Sequence, residues 1–235
     1  MVGSVGPLAA NATLYSRPGF DNLKDLTPIS LIAYVPNRLG VNPRAMPVEN
    51  FADFMTLVRA HPGKYFYAST GSGTSAHLSG ELLTLLSDIK ATHVPYKGAV
   101  ALNDLLSGEQ IHFMFATIPS ALQHVRSGKL RVLAVSSAKR SPGIPDVPSV
   151  SELGFPSFDA SSWFGLVGPA GLPREIVTRL SSEIAKAVRR PEIRDKMIAQ
   201  GADPAGGTPE EFGAYIRSET EKWGKVIKTA GLKAE

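Results

Sequence analysis

Tyr67-Ala68-Ser69-Thr70-Gly71-Ser72-Gly73-Thr74-Ser75-Ala76-His77-Leu78 is the stretch from which the fold can be read. Tyr65 to Ala68 has the aromatic character of a short buried strand, and the Ser, Thr and Gly residues that follow break it. Thr74 or Ser75 then opens a helix that should bury Leu78, Leu82, Leu85 and Leu86. A strand that turns through such a loop into a helix can aim free backbone N–H groups, helped by hydroxyls, at an anion. A carboxylate or a phosphate suits that geometry. The Lys of a phosphate loop is missing before the Ser/Thr, and no Gly-x-Ser-x-Gly elbow overlies these residues. A plain glycine-rich turn with a Ser/Thr helix cap is the competing reading.

The same strand-then-helix rhythm extends in both directions. Ile29 to Val35, Thr92 to Val94, Ile111 to Phe115, Arg131 to Ser136 and Ser162 to Val167 also read as strands, the pattern of an α/β protein with largely parallel sheets. A helix over Val48 to Ala60 places Phe51, Phe54, Met55 and Val58 on one face and stops at His61-Pro62-Gly63. Another runs from Ala99 to Leu106. Thr208-Pro209-Glu210-Glu211 is a capping box with Pro at the first helical position, and Phe212, Tyr215, Ile216 and Trp223 follow on one face. Connections are marked by Ser141 to Pro148 and Gly168 to Pro173, the second of which suits a domain crossover.

Composition narrows the function. In 235 residues, 43% are hydrophobic and 20% charged, ordinary values for a globular chain large enough for one or two cores. The net charge is +4, but basic and acidic side chains are interspersed, without the concentrated basic face of a nucleic-acid binder. No cysteine is present, which excludes disulfides, thiolate nucleophiles and Cys-ligated metals. No apolar run approaches the ~20 residues that span a bilayer, and Met1 to Ala10 has neither the basic nor the apolar region of an export signal.

Few residues suggest chemistry. His77 and Glu81 share a helix face, yet no third ligand at a telling spacing makes them a metal site. His61, His93, His112 and His124 are spread over different elements, and none sits in a pattern pairing it with a nucleophile and an orienting acid. Tyr96-Lys97-Gly98 follows a strand end, where open α/β sheets face ligand crevices; a solvated turn lysine beside a packed tyrosine is the plainer reading. Trp163-Phe164 reads as core unless it lines a cleft at a crossover.

Together these residues resemble the substrate-binding receptors of tripartite tricarboxylate transporters, the Bug family. The likeness is carried by Tyr67-Ala68-Ser69 with Gly71-x-Gly73-Thr74-Ser75-x-His77-Leu78 and Gly80-Glu81-Leu82, by His93-Val94-Pro95-Tyr96-Lys97-Gly98, and by Pro119-Ser120-Ala121-Leu122. It continues through Gly128-Lys129-Leu130-Arg131, Pro145-Asp146-Val147-Pro148-Ser149, Trp163-Phe164-Gly165-Leu166 and Gly206-Gly207-Thr208-Pro209-Glu210, nearly end to end.

The resemblance implies a two-lobed, type II-like periplasmic binding-protein fold joined by two crossing strands. Residues 1–40 plus 161–235 would form the first lobe and 41–160 the second. It implies capture of a small organic carboxylate between the lobes, delivery to membrane transporter subunits, a periplasmic location, and neither catalysis, metal nor cofactor. The ligand-binding residues would be Ser4, Ser69, Thr70, Gly71, Gly73, Thr74, Ser75, Tyr96, Lys97, Phe115, Ala116 and Trp163.

Two departures qualify the likeness. The first match, Gly3-Ser4 with Ala9-x-Asn11-x-x-Leu14-Tyr15, belongs well inside a family member, so the chain is expected to lack an N-terminal strand-helix-strand unit. That would leave an incomplete first lobe with an edge open to self-association. Phe115-Ala116-Thr117 replaces the frequent Phe-Asp-Asn, which argues against a cationic amine on the ligand and for a plain aliphatic or aromatic dicarboxylate or a tricarboxylate. A receptor for a sensor kinase, an α/β enzyme acting on a carboxylate or phosphate ester, and a non-binding remnant are the alternatives.

Overall fold

The computed structural model describes residues 1–98 and 100–233, excluding the side chains of Ile118, Pro119, Ser120 and Leu122. The expected helix start at Ala99 and most of the Pro119-Ser120-Ala121-Leu122 fragment therefore lie outside the described residues. The chain divides into two compact units, Met1–Val35 with Ser162–Glu235, and Pro36–Ser161.

In the first unit, β1 (Val2–Ser4), β2 (Leu26–Val35), β8 (Ser162–Pro169) and β9 (Asp203–Pro204) form a 4-stranded sheet in the order β1-β8-β2-β9. Each described pairing is antiparallel, contrary to the largely parallel arrangement read from the strand-helix rhythm. Connectivity supplies the reason. The chain leaves the unit along β2 and returns along β8, so the two strands run in opposite senses, with Val35 opposite Ser162. Around this sheet come α1 (Asn11–Leu14), α6 (Arg174–Arg189), α7 (Pro191–Ala199) and α8 (Pro209–Thr229).

α8 begins as the sequence requires. Thr208 Oγ1 accepts from the Glu211 N–H at 3.2 Å, and the Glu211 carboxylate accepts from the Thr208 N–H at 2.8 Å. Its apolar stripe buries Phe212, Ile216 and Trp223, and the Phe212 ring packs edge-on against fully buried Trp163 of β8. Phe212 can sit there only because position 165 is Gly, where a Cβ would fall 2.0 Å from the ring's Cζ.

The second unit contains β3 (Arg38–Val41), α2 (Phe51–Ala60), β4 (Tyr65–Ser69), α3 (Ser75–Ser87), β5 (Ala91–Pro95), α4 (Val100–Ser107), β6 (Phe113–Ala116), α5 (Ile118–Arg126) and β7 (Arg131–Val135). Its 5-stranded sheet has the order β5-β4-β6-β3-β7. β4 is parallel to both β5 and β6, whereas β3 is antiparallel to β6 and β7. Because β3 is hydrogen-bonded on both sides in this sheet, Arg38 to Gly40 belong to the second unit and not to the first, where the 1–40 boundary had put them.

α2 starts at Phe51, capped by Asn50, and buries Phe51, Phe54, Met55 and Val58 as expected. α3 differs. Leu78, Leu82 and Leu83 are buried, but Leu85 and Leu86 remain 44% and 36% exposed. The helix is enclosed on all sides through Gly80; afterwards Leu82, Leu83 and Ser87 are buried, Leu85 lies two residues from each of the last two and so faces away, and Leu86, though on the side of Leu82 and Leu83, is only partly covered in the last turn.

Candidate functional site

Parallel pairing sets the carboxyl ends of β5, β4 and β6 side by side. The antiparallel β3 brings its first residue to the same edge, with Arg38 opposite Ala116 and Val135. Segments following parallel strands converge there, the usual position of a ligand crevice in an open α/β sheet.

The central segment is Ser69–Ser75. Gly71 and Gly73 adopt φ of 143° and 76°, in the region that favours glycine, so the chain can reverse before α3 without strain. Thr74 Oγ1 donates to the Gly71 carbonyl at 2.7 Å and accepts from the His77 N–H at 3.5 Å, acting as N-cap. Tyr96 N–H donates to the Ser69 carbonyl at 3.0 Å and Gly98 N–H to the Thr70 carbonyl at 3.3 Å, which draws Tyr96-Lys97-Gly98 alongside. Among the described residues, no protein acceptor meets the backbone N–H of Thr70, Ser72, Ser75 or Ala76. Thr70 and Ser72 are exposed, so part of this donor set faces solvent.

Beneath the loop lies a buried polar network. Ser69, with 0% exposure, donates from Oγ to the Gly71 carbonyl at 3.0 Å, accepts the Gly71 N–H at 3.2 Å, and lies 2.7 Å from His93 Nε2. His93 stacks on His77 with ring centroids 3.8 Å apart and planes 14° from parallel. His77 Nδ1 accepts the Gly73 N–H at 3.0 Å, and its Nε2 faces Glu81 Oε1 at 3.6 Å. The Tyr67 hydroxyl donates to the same Glu81 oxygen.

These contacts shift the titrations. Burial first, then the neighbouring His77, push His93 down to about 4, against an opposing pull from Glu81. Burial would raise Glu81, but hydrogen bonds from His77 and Tyr67 bring it below its ordinary value. Burial, then the Glu81 charge, raise Tyr67. Burial and the Asp104 carboxylate, to which its hydroxyl donates, push Tyr96 up to about 12.

The structure thus brings together Ser69, Thr70, Gly71, Gly73, Thr74, Ser75, Tyr96 and Lys97, with Ala116 at the same sheet edge. Phe115 is fully buried and stacks on Phe158, so its side chain is core. Trp163 belongs to the first unit, has 0% exposure and commits its indole N–H to Glu219 at 2.9 Å. Its expected role as a ligand contact gives way to one in the core. Ser4 ends β1 in the first unit, paired with Phe164.

Two residues at the edge, Asn37 and Arg38, were not anticipated. Asn37 accepts from Ser75 Oγ at 3.4 Å and donates to Ser79 Oγ at 3.3 Å; its N–H donates to Ser136 Oγ at 2.9 Å and its carbonyl accepts the Ser136 N–H at 2.8 Å. Arg38, only 3% exposed, brings a permanent positive charge. The Pro36-Asn37 break at the end of the β2 run was the available signal.

The structure does place one histidine, His93, within hydrogen-bond reach of a hydroxyl, that of Ser69. The pair does not form a hydrolytic centre: Ser69 is sealed from solvent, and the nearby acid, Glu81, is hydrogen-bonded to His77 and not to His93. Among the described residues, no three His, Cys, Asp or Glu side chains gather as a metal site, and no helix is long and apolar enough to cross a membrane.

Residues 2–232 match the family model described as tripartite tricarboxylate transporter family receptor. Protein BugT of Bordetella pertussis is 34% identical over 231 residues, covering 98% of this chain and 70% of BugT. Among solved structures, R. palustris Rpa4515 with adipate shares 36% identity at a TM-score of 0.87, covering 99% of this chain and 77% of that one. The periplasmic binding protein BugD shares 29% at 0.83, covering 100% and 78%. MatC from Rhodopseudomonas palustris with bound malate shares 28% at 0.80, covering 96% and 78%.

Proposed function

Because the chain belongs to the tripartite tricarboxylate transporter family of receptors, we propose that it captures a small aliphatic dicarboxylate and presents it to membrane transporter subunits from the periplasmic side. The carrying observation is the set of unengaged N–H groups of Thr70, Ser72, Ser75 and Ala76 at the start of α3, beside Lys97 and at the sheet edge that holds Arg38. Charge-assisted bonds from such donors favour an ionised carboxylate over a neutral amide. The protein acts by binding, with no chemical step, which agrees with the inaccessible Ser69. The ligands of its relatives, adipate on Rpa4515 and malate on MatC, are both dicarboxylates, and the higher identity to Rpa4515 favours the longer one.

Isothermal titration with adipate, malate, citrate, benzoate and the neutral diamide of adipate tests this reading. Adipate should bind and its diamide should be at least about 100-fold weaker, since every 1.4 kcal/mol is tenfold. Equal affinity for the acid and the diamide, or no heat with any carboxylate, would sink the proposal.

A further inference from the structure

We infer that His77 and His93 are positioning residues for the Thr70–Ser75 loop, and that His77 holds it only while its Nδ1 is unprotonated, so that acid unlatches the loop at Gly73. The consequence for binding rests on the proposed function; the latch itself does not.

The tautomer follows from geometry. The Gly73 N–H can donate to His77 Nδ1 only if that nitrogen carries a lone pair, which leaves the ring proton on Nε2, facing Glu81. A proton added at Nδ1 would set donor against donor and break the contact. His93 acts on the other glycine: the Ser69 hydroxyl gives its proton to the Gly71 carbonyl and accepts the Gly71 N–H, so its contact with His93 is one in which Nε2–H donates to Oγ, and that bond survives a proton added at the His93 Nδ1. One ring therefore fixes each of the loop's two left-handed glycines.

The stack couples the two rings. At 3.8 Å between centroids in a buried setting, a charge on one strongly disfavours a charge on the other. Among the described residues, the titratable groups facing the pair are Glu81 of α3, which supplies a counter-charge, and Tyr67 of β4, whose proton is committed to that carboxylate. Glu81 reaches His77 directly, so His93 has no carboxylate in contact to compensate a charge. The depressed titration of His93, driven first by burial, agrees.

The test uses the full chain without ligand. Amide NMR from pH 7.5 to 4 should show Gly73 losing exchange protection on acidification, while amides of α8 around Phe212 keep theirs. The double variant H77Q/H93Q offers an acceptor and a donor at each site but takes up no proton, and its glycine amides should hold through the same range. Imidazole nitrogen shifts at pH 7.5 should place the His77 proton on Nε2. An unmoved Gly73 amide, a proton on Nδ1, an identical acid response in the double variant, or simultaneous collapse of α8 would each overturn the inference. If the double variant does not fold, the wild-type titration and imidazole shifts still decide.

Adipate affinity then separates latch from function. Adipate's own protonation cancels in the ratio of variant to wild type. Unlatching should weaken the wild type relative to the variant by at least about twofold between pH 7.5 and 4. A ratio that does not change with pH overturns the link to binding. Absence of adipate binding at pH 7.5 would count against the proposed function while leaving the glycine titration to judge the latch.

Discussion

Each unit sets a glutamate among aromatic rings, and the two are used differently. In the first unit, Glu219 Oε2 accepts from the indole N–H groups of Trp163 and Trp223, both at 2.9 Å, and Lys222 contacts the other oxygen. In the second, Glu81 receives the Tyr67 hydroxyl and faces a histidine whose far nitrogen holds a loop. The indoles keep their protons at any ordinary pH, so the Glu219 cluster is a fixed peg in the core. The Glu81 cluster includes imidazoles, whose roles depend on protons. The segregation is complete at the level of residue type: all 5 histidines lie within Pro36–Ser161, and both of the 2 tryptophans lie in the other unit.

The largest test of this contrast removes the peg. Glu219→Ala leaves two buried indole donors without an acceptor and should destabilise the first unit by about 3–5 kcal/mol. Urea unfolding followed by tryptophan fluorescence reads that unit directly, and the Gly73 amide should not move. A smaller loss follows in the second unit from Gly80→Ala, whose new Cβ would lie 2.2 Å from Tyr67 Cε2. Overpacking of this kind costs about 1–3 kcal/mol and should loosen the Tyr67–Glu81 bond, visible in far-UV circular dichroism with the fluorescence transition unchanged.

Thr208→Ala should cost about 1 kcal/mol through loss of the α8 cap, shifting the fluorescence midpoint and leaving adipate affinity as it was. The finest distinction is in pH. A histidine whose folded titration is depressed stabilises the native state above its unfolded value and loses that contribution as pH falls through the folded one. For His93 the window runs from its ordinary 6.5 down to about 4. The urea midpoint read by circular dichroism should decline across it in the wild type and less in His93→Gln. The first unit, without histidine, should show no such component.

What the sequence disclosed depended on how local the cause was. The Ser69–Ser75 turn, the Thr208 cap and the buried face of α2 are each determined within a few residues, and all were legible. Leu85 and Leu86 were misplaced because leucine spacing does not show where a helix leaves its enclosure. The antiparallel first sheet was hidden because β2 and β8 are separated by the whole second unit. The His77–His93 stack was equally non-local. It depends on the β4–β5 register, which sets Tyr67 opposite His93, and on α3 packing back over those strands. Trp163 drew attention as an aromatic near a crossover, but its partner, Glu219, lies 56 positions away.

The pairing of Val35 with Ser162 has a consequence for modularity. Cut at these two neighbouring positions, the host would present the open end of a hairpin, which a two-residue turn could close. Residues 36–161 are then a guest inserted at one point of a host, entering and leaving through adjacent peptide bonds. Guests of that kind can be exchanged, duplicated or excised at the gene level without retying the host's strands, since termini that lie close together make domain insertion tolerable.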